Sequence, residues 1–353
     1  MFVKPRASYY DVLVWTRREL IGLTAYATLV TGAHAILGLS FLQLPWAPIG
    51  IVGTAVAFIV GFQNNAAYDR IWEARKIWGG VVNTSRTWGM HVLDMVTTEH
   101  AKNETSDEEL RQHHEMLIHR HIAWLTALRH AMRQPRPWED YHSEHTNREW
   151  AREVHIPERI ISLEDDLFAC LPDDDWEVVD RHSNKAAAIL TMQSKHLREL
   201  KEKGLLWEFA FLQLESVLEE MFTLQGKSER IKNFPYPRQY ATLSYQFVRL
   251  FLAALPFAIV PEFVKIGTEI STVWPVIGSA FVWVSIPLIT LVAWLFHTME
   301  RTGRVGENPF AGSTTDVPIS TISRGIEIDL RQMLGEDPEN IPRPVAALMD
   351  VQM

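Results

Sequence analysis

Apolar positions along this chain are gathered into two blocks rather than spread evenly. From Leu20 to Tyr68 there is no Asp, Glu, Lys or Arg, and His34 is the one imidazole in the stretch. A helix needs about 20 apolar residues to cross a bilayer, so this block is long enough for two. Its middle, Gln43-Leu-Pro-Trp-Ala-Pro48, reads as a turn, because Pro45 and Pro48 break helix and Trp46 suits a membrane interface. The pattern predicts spans at 19–42 and 47–68. The second block opens near Tyr240. Gln239 to Pro261 carries one charge, Arg249, and a short polar loop, Glu262-Phe-Val-Lys265-Ile-Gly-Thr-Glu269, follows. Ile270 to Met299 then has no Asp, Glu, Lys or Arg, so further spans are expected at 240–261 and 274–298. The competing reading is four buried helices of a soluble bundle. Soluble helices seldom run this far without a charge on any face.

Basic residues flank the blocks on one side only. Lys4, Arg6, Arg17 and Arg18 precede the first span, and Arg70, Arg75, Lys76 and Arg86 follow the second. Lys227, Arg230, Lys232 and Arg238 precede the third, and Arg301 and Arg304 follow the fourth. The first hairpin turn has no basic residue and the second has Lys265 alone. By the positive-inside rule both termini and the middle of the chain are cytoplasmic. The N-terminus is too polar around Ser8–Arg18 for a cleavable signal peptide.

The middle, 69–239, reads as helical. Met116, Leu117, His121, Trp124 and Leu128 recur at helical spacing within 108–133. Pro172-Asp-Asp-Asp175 reads as a helix start with carboxylates at the positive end of the dipole. Further helices are expected at 184–203 and 205–232, parted by Gly204, and near 321–334 in the tail. Pro135, Pro137 and the His/Glu-rich run 139–155 read as loop.

Composition narrows the function. The net charge of −9 (34 basic against 43 acidic residues) argues against a nucleic-acid partner. One cysteine, Cys170, excludes an internal disulfide and any multi-cysteine metal site. Fourteen histidines invite a metal hypothesis. His114-Glu115…His119, however, misses the H-E-x-x-H spacing by one residue, and His142 and His145 have no evident third ligand. No glycine-rich phosphate loop and no G-x-S-x-G motif are present.

The second span carries the sharpest pattern. Thr54, Phe58, Phe62, Ala66 and Asp69 share one helical face. In a single copy these are core or lipid-facing side chains. Around a symmetry axis they would form rings and a constriction that gates by dewetting. Gln63-Asn64-Asn65 places three amides at the membrane boundary, where polar side chains face either a protein interior or water. Asp69 and Glu73 are expected to pair locally with Arg70, Arg75 and Lys76, or to line the inner mouth of a pore.

Several longer stretches then stand out. They are Phe58-Ile-Val-Gly61-Phe62-Gln-Asn-Asn65-Ala-Ala-Tyr68-Asp-Arg70-Ile-Trp72-Glu73-Ala-Arg75-Lys-Ile-Trp78-Gly79 with Val82-Asn83-Thr-Ser85-Arg86, then Gln225-Gly-Lys-Ser-Glu229-Arg230-Ile-Lys-Asn233-Phe-Pro235-Tyr-Pro237, and Gly306-Glu307-Asn308-Pro309-Phe310. Together with the order of the four spans they resemble the bestrophin family in its bacterial branch, over nearly the whole chain. The resemblance implies an all-α membrane protein, with four transmembrane helices per subunit and a helical cytoplasmic region, assembled as a homopentamer around a central pore. It implies a pore neck of three rings at Thr54, Phe58 and Phe62, with Thr54 departing from the usual aliphatic residue. Asn65, Asp69 and Glu73 would form the inner mouth. A cytoplasmic constriction would fall at Ile189, Leu190 or Met192. Animal members bind Ca²⁺ through an acidic run after Asn-Pro-Phe. Here Phe310 is followed by Ala-Gly-Ser-Thr-Thr-Asp316, so no such clasp is expected.

The expected organisation is an N-terminal cytoplasmic segment (1–18), the first two spans (19–68), a cytoplasmic helical region (69–239), the last two spans (240–298) and a cytoplasmic tail (299–353). The expected function is passive conduction of small inorganic ions, either chloride and other anions or monovalent cations, across a bacterial inner membrane, with no cofactor and no catalytic residue. Phenylalanine ring edges favour anions, whereas the net charge and Asp69 with Glu73 favour cations. A membrane-embedded metal-dependent enzyme or transporter using the His-rich region is the alternative, and a non-conducting scaffold a third reading.

Overall fold

The structure is a computed structural model that describes residues 1–4, 8–39, 41, 43–139, 147–149, 154 and 156–353. In chain order its helices are α1 (Tyr9–Trp15), α2 (Arg17–Leu37), α3 (Trp46–Met95), α4 (Asp107–Arg133), α5 (Pro157–Ile160), α6 (Leu163–Phe168), α7 (Asp173–Asp180), α8 (Lys185–Lys203), α9 (Glu208–Asn233), α10 (Arg238–Ser271), α11 (Pro275–Ala280), a 3₁₀ turn (Phe281–Val284), α12 (Ser285–Gly306) and α13 (Ile319–Leu334). Among the described residues there is no strand, only isolated bridges of Val351 with Phe2 and Leu348. Four stretches are long and apolar enough to cross a membrane: α2, α3, α10, and α11 through α12.

The chain divides into two compact units, one of Lys4–Asp69 with Tyr236–Glu307 and one of Met1–Val3, Arg70–Pro235 and Asn308–Met353. The first holds the spans. Its core is Val56, Val60, Val248, Phe251, Leu255, Ile259 and Ile289, with Phe251 packed on Phe296 at 4.7 Å between ring centroids. Polar ties join its helices where water would be scarce. The Tyr26 hydroxyl donates to the Ala253 carbonyl (2.7 Å), Trp294 Nε1 donates to Thr16 Oγ1 (2.9 Å), and Arg301 pairs with Glu19 (2.6 Å).

The expected polar loop 262–269 is helix instead. Glu262 and Lys265 pair within one turn at 2.7 Å, so their charges support the helix rather than end it. The turn comes after Ser271, where two glycines let backbones meet. A Cβ on Gly267 would lie 2.7 Å from the Gly278 carbonyl oxygen, and one on Gly278 would lie 2.5 Å from that of Gly267. The first span is shorter than expected, because Gly38 at φ 64° caps α2 in the left-handed region.

The second unit has a tryptophan-centred core. Trp78, Trp88 and Trp124 are fully buried with Leu117, Leu128, Ile189, Leu190 and Phe310. α4 packs on α8 and α13, and α8 packs on α9. Leu117, His121, Trp124 and Leu128 are buried as their spacing predicts and Met116 is half-buried, but nearly every residue from Leu117 to Arg133 is buried too, so this part of α4 is enclosed on all sides rather than along one stripe. Ser106 caps α4 and Asn184 caps α8 through side-chain oxygens, and Gly204 at φ 82° ends α8. The predicted tail helix is α13.

Candidate functional site

In the span-bearing unit, α3 buries Gly53, Val56, Val60, Gln63 and Ala67. The opposite stripe, Thr54, Phe58, Phe62, Asn65 and Asp69, is exposed, with Phe58 at 65% and Phe62 at 70% of full accessibility. The Thr54 hydroxyl donates to the Gly50 carbonyl at 3.0 Å, so its polar atom is turned onto its own helix. A groove of about 1070 Å³ runs along this face. Thr54, Phe58, Phe62 and Asn65 form one wall, Phe251, Leu255 and Ile259 the other, and Glu262 also lines it.

The three amides part company at this level. Gln63 points inward, and its Nε2 donates to Glu307 Oε1 at 3.0 Å. Glu307 is buried and also accepts from Arg238 at 3.0 Å. Asn64 Oδ1 lies against the backbone of Gly303, where a Cβ would come within 2.2 Å of it. Asn65 alone joins the exposed stripe. Sequence reading left Gln63 and Asn64 open between interior and water; Glu307, inside the Gly306–Phe310 motif, is the partner it missed.

Asp69 is exposed. In the second unit Glu73 pairs with Arg230 of α9 rather than with its neighbours along α3. Arg70 donates to the Ile231 carbonyl at 2.8 Å, and Lys76 lies 6.0 Å from the Trp72 ring. Glu73 and Arg70 thus reach the Gln225–Pro237 stretch, whereas Lys76 stays on its own helix. The same stretch holds a buried network in which Trp124 Nε1 donates to Gln225 Oε1 (3.0 Å) while Gln225 Nε2 donates to Glu229 (2.8 Å).

Of the residues expected at a cytoplasmic constriction, Ile189 and Leu190 are fully buried in the tryptophan core. Met192 is half-buried and lines a cavity of about 550 Å³ with Thr191, Lys195 and His196.

That cavity also reaches an imidazole chain. Arg120 grips Asp175 through two bonds (2.6 and 2.9 Å) and donates to His196 Nδ1 at 3.1 Å. His196 Nε2 lies 3.1 Å from His113 Nδ1. Because guanidinium only donates, His196 is the Nε2–H tautomer and donates to His113. Burial, with the charge of Arg120 beside it, lowers its pKa to about 3. His121, stacked on Trp88 at 6.2 Å, is lowered to about 3 by burial alone. Among the described residues no three His, Cys, Asp or Glu side chains converge on a metal position. His114 bonds the Val96 carbonyl (2.9 Å) and His119 bonds Glu336 (2.6 Å), while His142 and His145 lie outside the described residues. The loop after Phe310 is knitted by Asp316, which accepts from the Gly312 and Ser313 amides at 2.6 and 3.0 Å.

Three comparisons bear on this arrangement. The family described as Bacterial/Fungal Bestrophin protein matches residues 10–332. The voltage-dependent anion channel-forming protein RSc3414 of Ralstonia nicotianae is 28% identical over 295 residues, covering 84% of this chain and 79% of its own length. The voltage-dependent anion channel-forming protein YneE of Salmonella typhi is 27% identical over 309 residues, covering 88% of this chain and 82% of its own. A crystal structure of a bacterial bestrophin homologue from Klebsiella pneumoniae superposes with a TM-score of 0.69 at 21% identity, covering 91% of this chain and 99% of that one. The fold is the same, and both relatives are named as channels rather than as enzymes.

Proposed function

The chain belongs to the bacterial and fungal bestrophin family, and on that premise we propose that five copies form a passive channel for small inorganic anions, with α3 of each lining an axial pore. The observation that carries this is the exposed stripe of Thr54, Phe58 and Phe62, two of them phenylalanines that the described residues leave largely accessible. Closed around an axis, two phenylalanine rings and a threonine ring make a neck that ions cross only by shedding water. Asn65 and Asp69 continue the stripe to the inner mouth.

Anions are favoured on three grounds. The relatives are named as anion channels. Of the two inner-mouth carboxylates, Glu73 is neutralised by Arg230, which leaves Asp69. Phenyl edges add a weak positive field in the neck. Met192, the one open member of its set, is the proposed cytoplasmic constriction. The basic flanks orient the protein in a bacterial inner membrane with residues 1–18, 69–239 and 299–353 in the cytoplasm and 19–68 and 240–298 as the span pairs.

The test is purified protein in liposomes under a chloride gradient. The reversal potential is expected near that of chloride, and Phe62→Ala is expected to raise the current several-fold. A reversal potential at the cation equilibrium overturns the selectivity. Unchanged current in Phe62→Ala, or a monomeric mass in solution, overturns the neck.

A further inference from the structure

Arg249 is the one charge in Gln239–Pro261, and the channel reading gives it no task. It stands about 16 Å along α10 from Arg238, at 1.5 Å per residue. Its side chain is exposed between the exposed Phe247 and Leu250, on a face turned away from the groove-lining Phe251 and Leu255. A guanidinium at such depth is costly without an anion or a route to the interface. Among the described residues it meets no carboxylate within ion-pair distance. Instead Nη1 donates to the Tyr245 hydroxyl at 3.0 Å, and the guanidinium lies 5.3 Å from that ring's centroid. A second guanidinium, Arg304 from α12, lies 5.6 Å from the same ring, with Nε on Glu300 at 3.2 Å. Tyr245 thus draws two cations together one turn nearer than Arg249 to the end of the spans marked by Arg238.

We propose that Arg249, backed by Arg304 and aligned by Tyr245, binds the phosphate of an anionic membrane lipid. The ligand chemistry is a phosphate monoanion gripped by planar guanidinium donors. The flanking Phe247 and Leu250 suit acyl chains, and the tyrosine hydroxyl holds the arginine in the direction an interfacial snorkelling side chain takes. A free phosphate would satisfy the guanidinium but make no use of the apolar flanks. The proposal rests on the chain being a membrane protein, and it stands whether or not the chain conducts.

The experiment reads thermal unfolding of delipidated protein in an uncharged detergent, titrated with short-chain phosphatidylglycerol. The wild type is expected to gain Tm with added lipid, whereas uncharged diacylglycerol of the same chain length and inorganic phosphate leave it unchanged. Arg249→Gln is expected to need about fivefold more lipid for the half-maximal shift. Tyr245→Phe, which keeps the ring and loses only the hydroxyl, must move the midpoint the same way by a smaller factor and serves if Arg249→Gln does not fold. An unchanged midpoint in both variants overturns the proposal. An equal shift with inorganic phosphate makes this a soluble-anion site instead. A change in oligomeric mass in Arg249→Gln, with lipid dependence intact, assigns the arginine to a contact between copies.

Discussion

α3 treats its aromatic residues in two opposite ways. In its first half Phe58 and Phe62 stand exposed along a groove, whereas in its second half Trp78 and Trp88 have no accessible surface. The helix is continuous from Trp46 to Met95, so backbone geometry does not separate the two cases. What differs is whether the rest of the chain supplies cover. α4, α9 and the Phe310 loop complete a core around the tryptophans, and Trp78 meets Phe310 at 6.4 Å. Among the described residues no such cover closes over the phenylalanines. Burying a large apolar side chain is worth about 1.5–3 kcal/mol, so Trp78 and Trp88 contribute to folding of the subunit in a way that Phe58 and Phe62, and the exposed Trp72 beyond them, do not.

The most damaging way to probe this contrast is to truncate on both sides of it. Trp88→Ala should destabilise the solubilised protein by about 3–5 kcal/mol, the usual cost of emptying a core aromatic site. Phe58→Ala should leave subunit unfolding nearly unchanged and act on assembly and current instead. Thermal unfolding of both variants in detergent checks this. Equal destabilisation would mean that Phe58 belongs to a core after all.

Much of this contrast was legible beforehand, and the illegible part has a physical reason. Spans follow from charge-free length, which is a local property, so all four were found. The face shared by Thr54, Phe58, Phe62 and Asp69 follows from helical period alone. The 262–269 segment misled because charges in an apolar block look like a loop, yet Glu262 and Lys265 neutralise each other on one helix. Glu73 misled for the converse reason. Sequence shows its neighbours on α3, whereas its partner Arg230 is 157 positions away. Ile189 and Leu190 could not be told from Met192 because adjacent residues of one helix turn differ only in which neighbour they meet. The inward turn of Gln63 depends on Glu307, 244 positions on, and no local pattern carries that.

Acid offers a milder test, confined to the buried side of the comparison. His121 and His196 have folded pKa values near 3 against about 6.5 unfolded, so the unfolded chain takes up protons first as pH falls. Their contribution is complete above pH 6.5 and is lost progressively below it. At pH 5 the loss is of order 1–2 kcal/mol for each histidine. Tm is therefore expected to fall between pH 6.5 and 5, above the range where ordinary carboxylates titrate. His121→Leu should remove about half of that fall. Both His121 ring nitrogens are buried without a hydrogen-bond partner, so losing them should not cost stability at pH 7. A pH dependence unchanged in His121→Leu would mean that the ring is hydrated rather than dry.

The gentlest change sharpens the exposed side. Thr54 is the one polar member of the three proposed rings, and its hydroxyl could either wet the outer end of the neck or stay out of it. The bond to the Gly50 carbonyl favours the second. A hydroxyl held on its own helix leaves the side chain's apolar surface to face the conduit, much as valine would. Thr54→Val keeps the branched shape and removes only that bond, whose net worth is about 1 kcal/mol at most. With the hydroxyl already turned onto its own helix and away from the conduit, single-channel conductance is expected to change little, and subunit stability by no more than the bond's net worth of about 1 kcal/mol. A several-fold drop in current would show that water reaches the hydroxyl in the open neck. The dehydrated stretch would then begin at Phe58, and the aromatic pair alone would set the barrier.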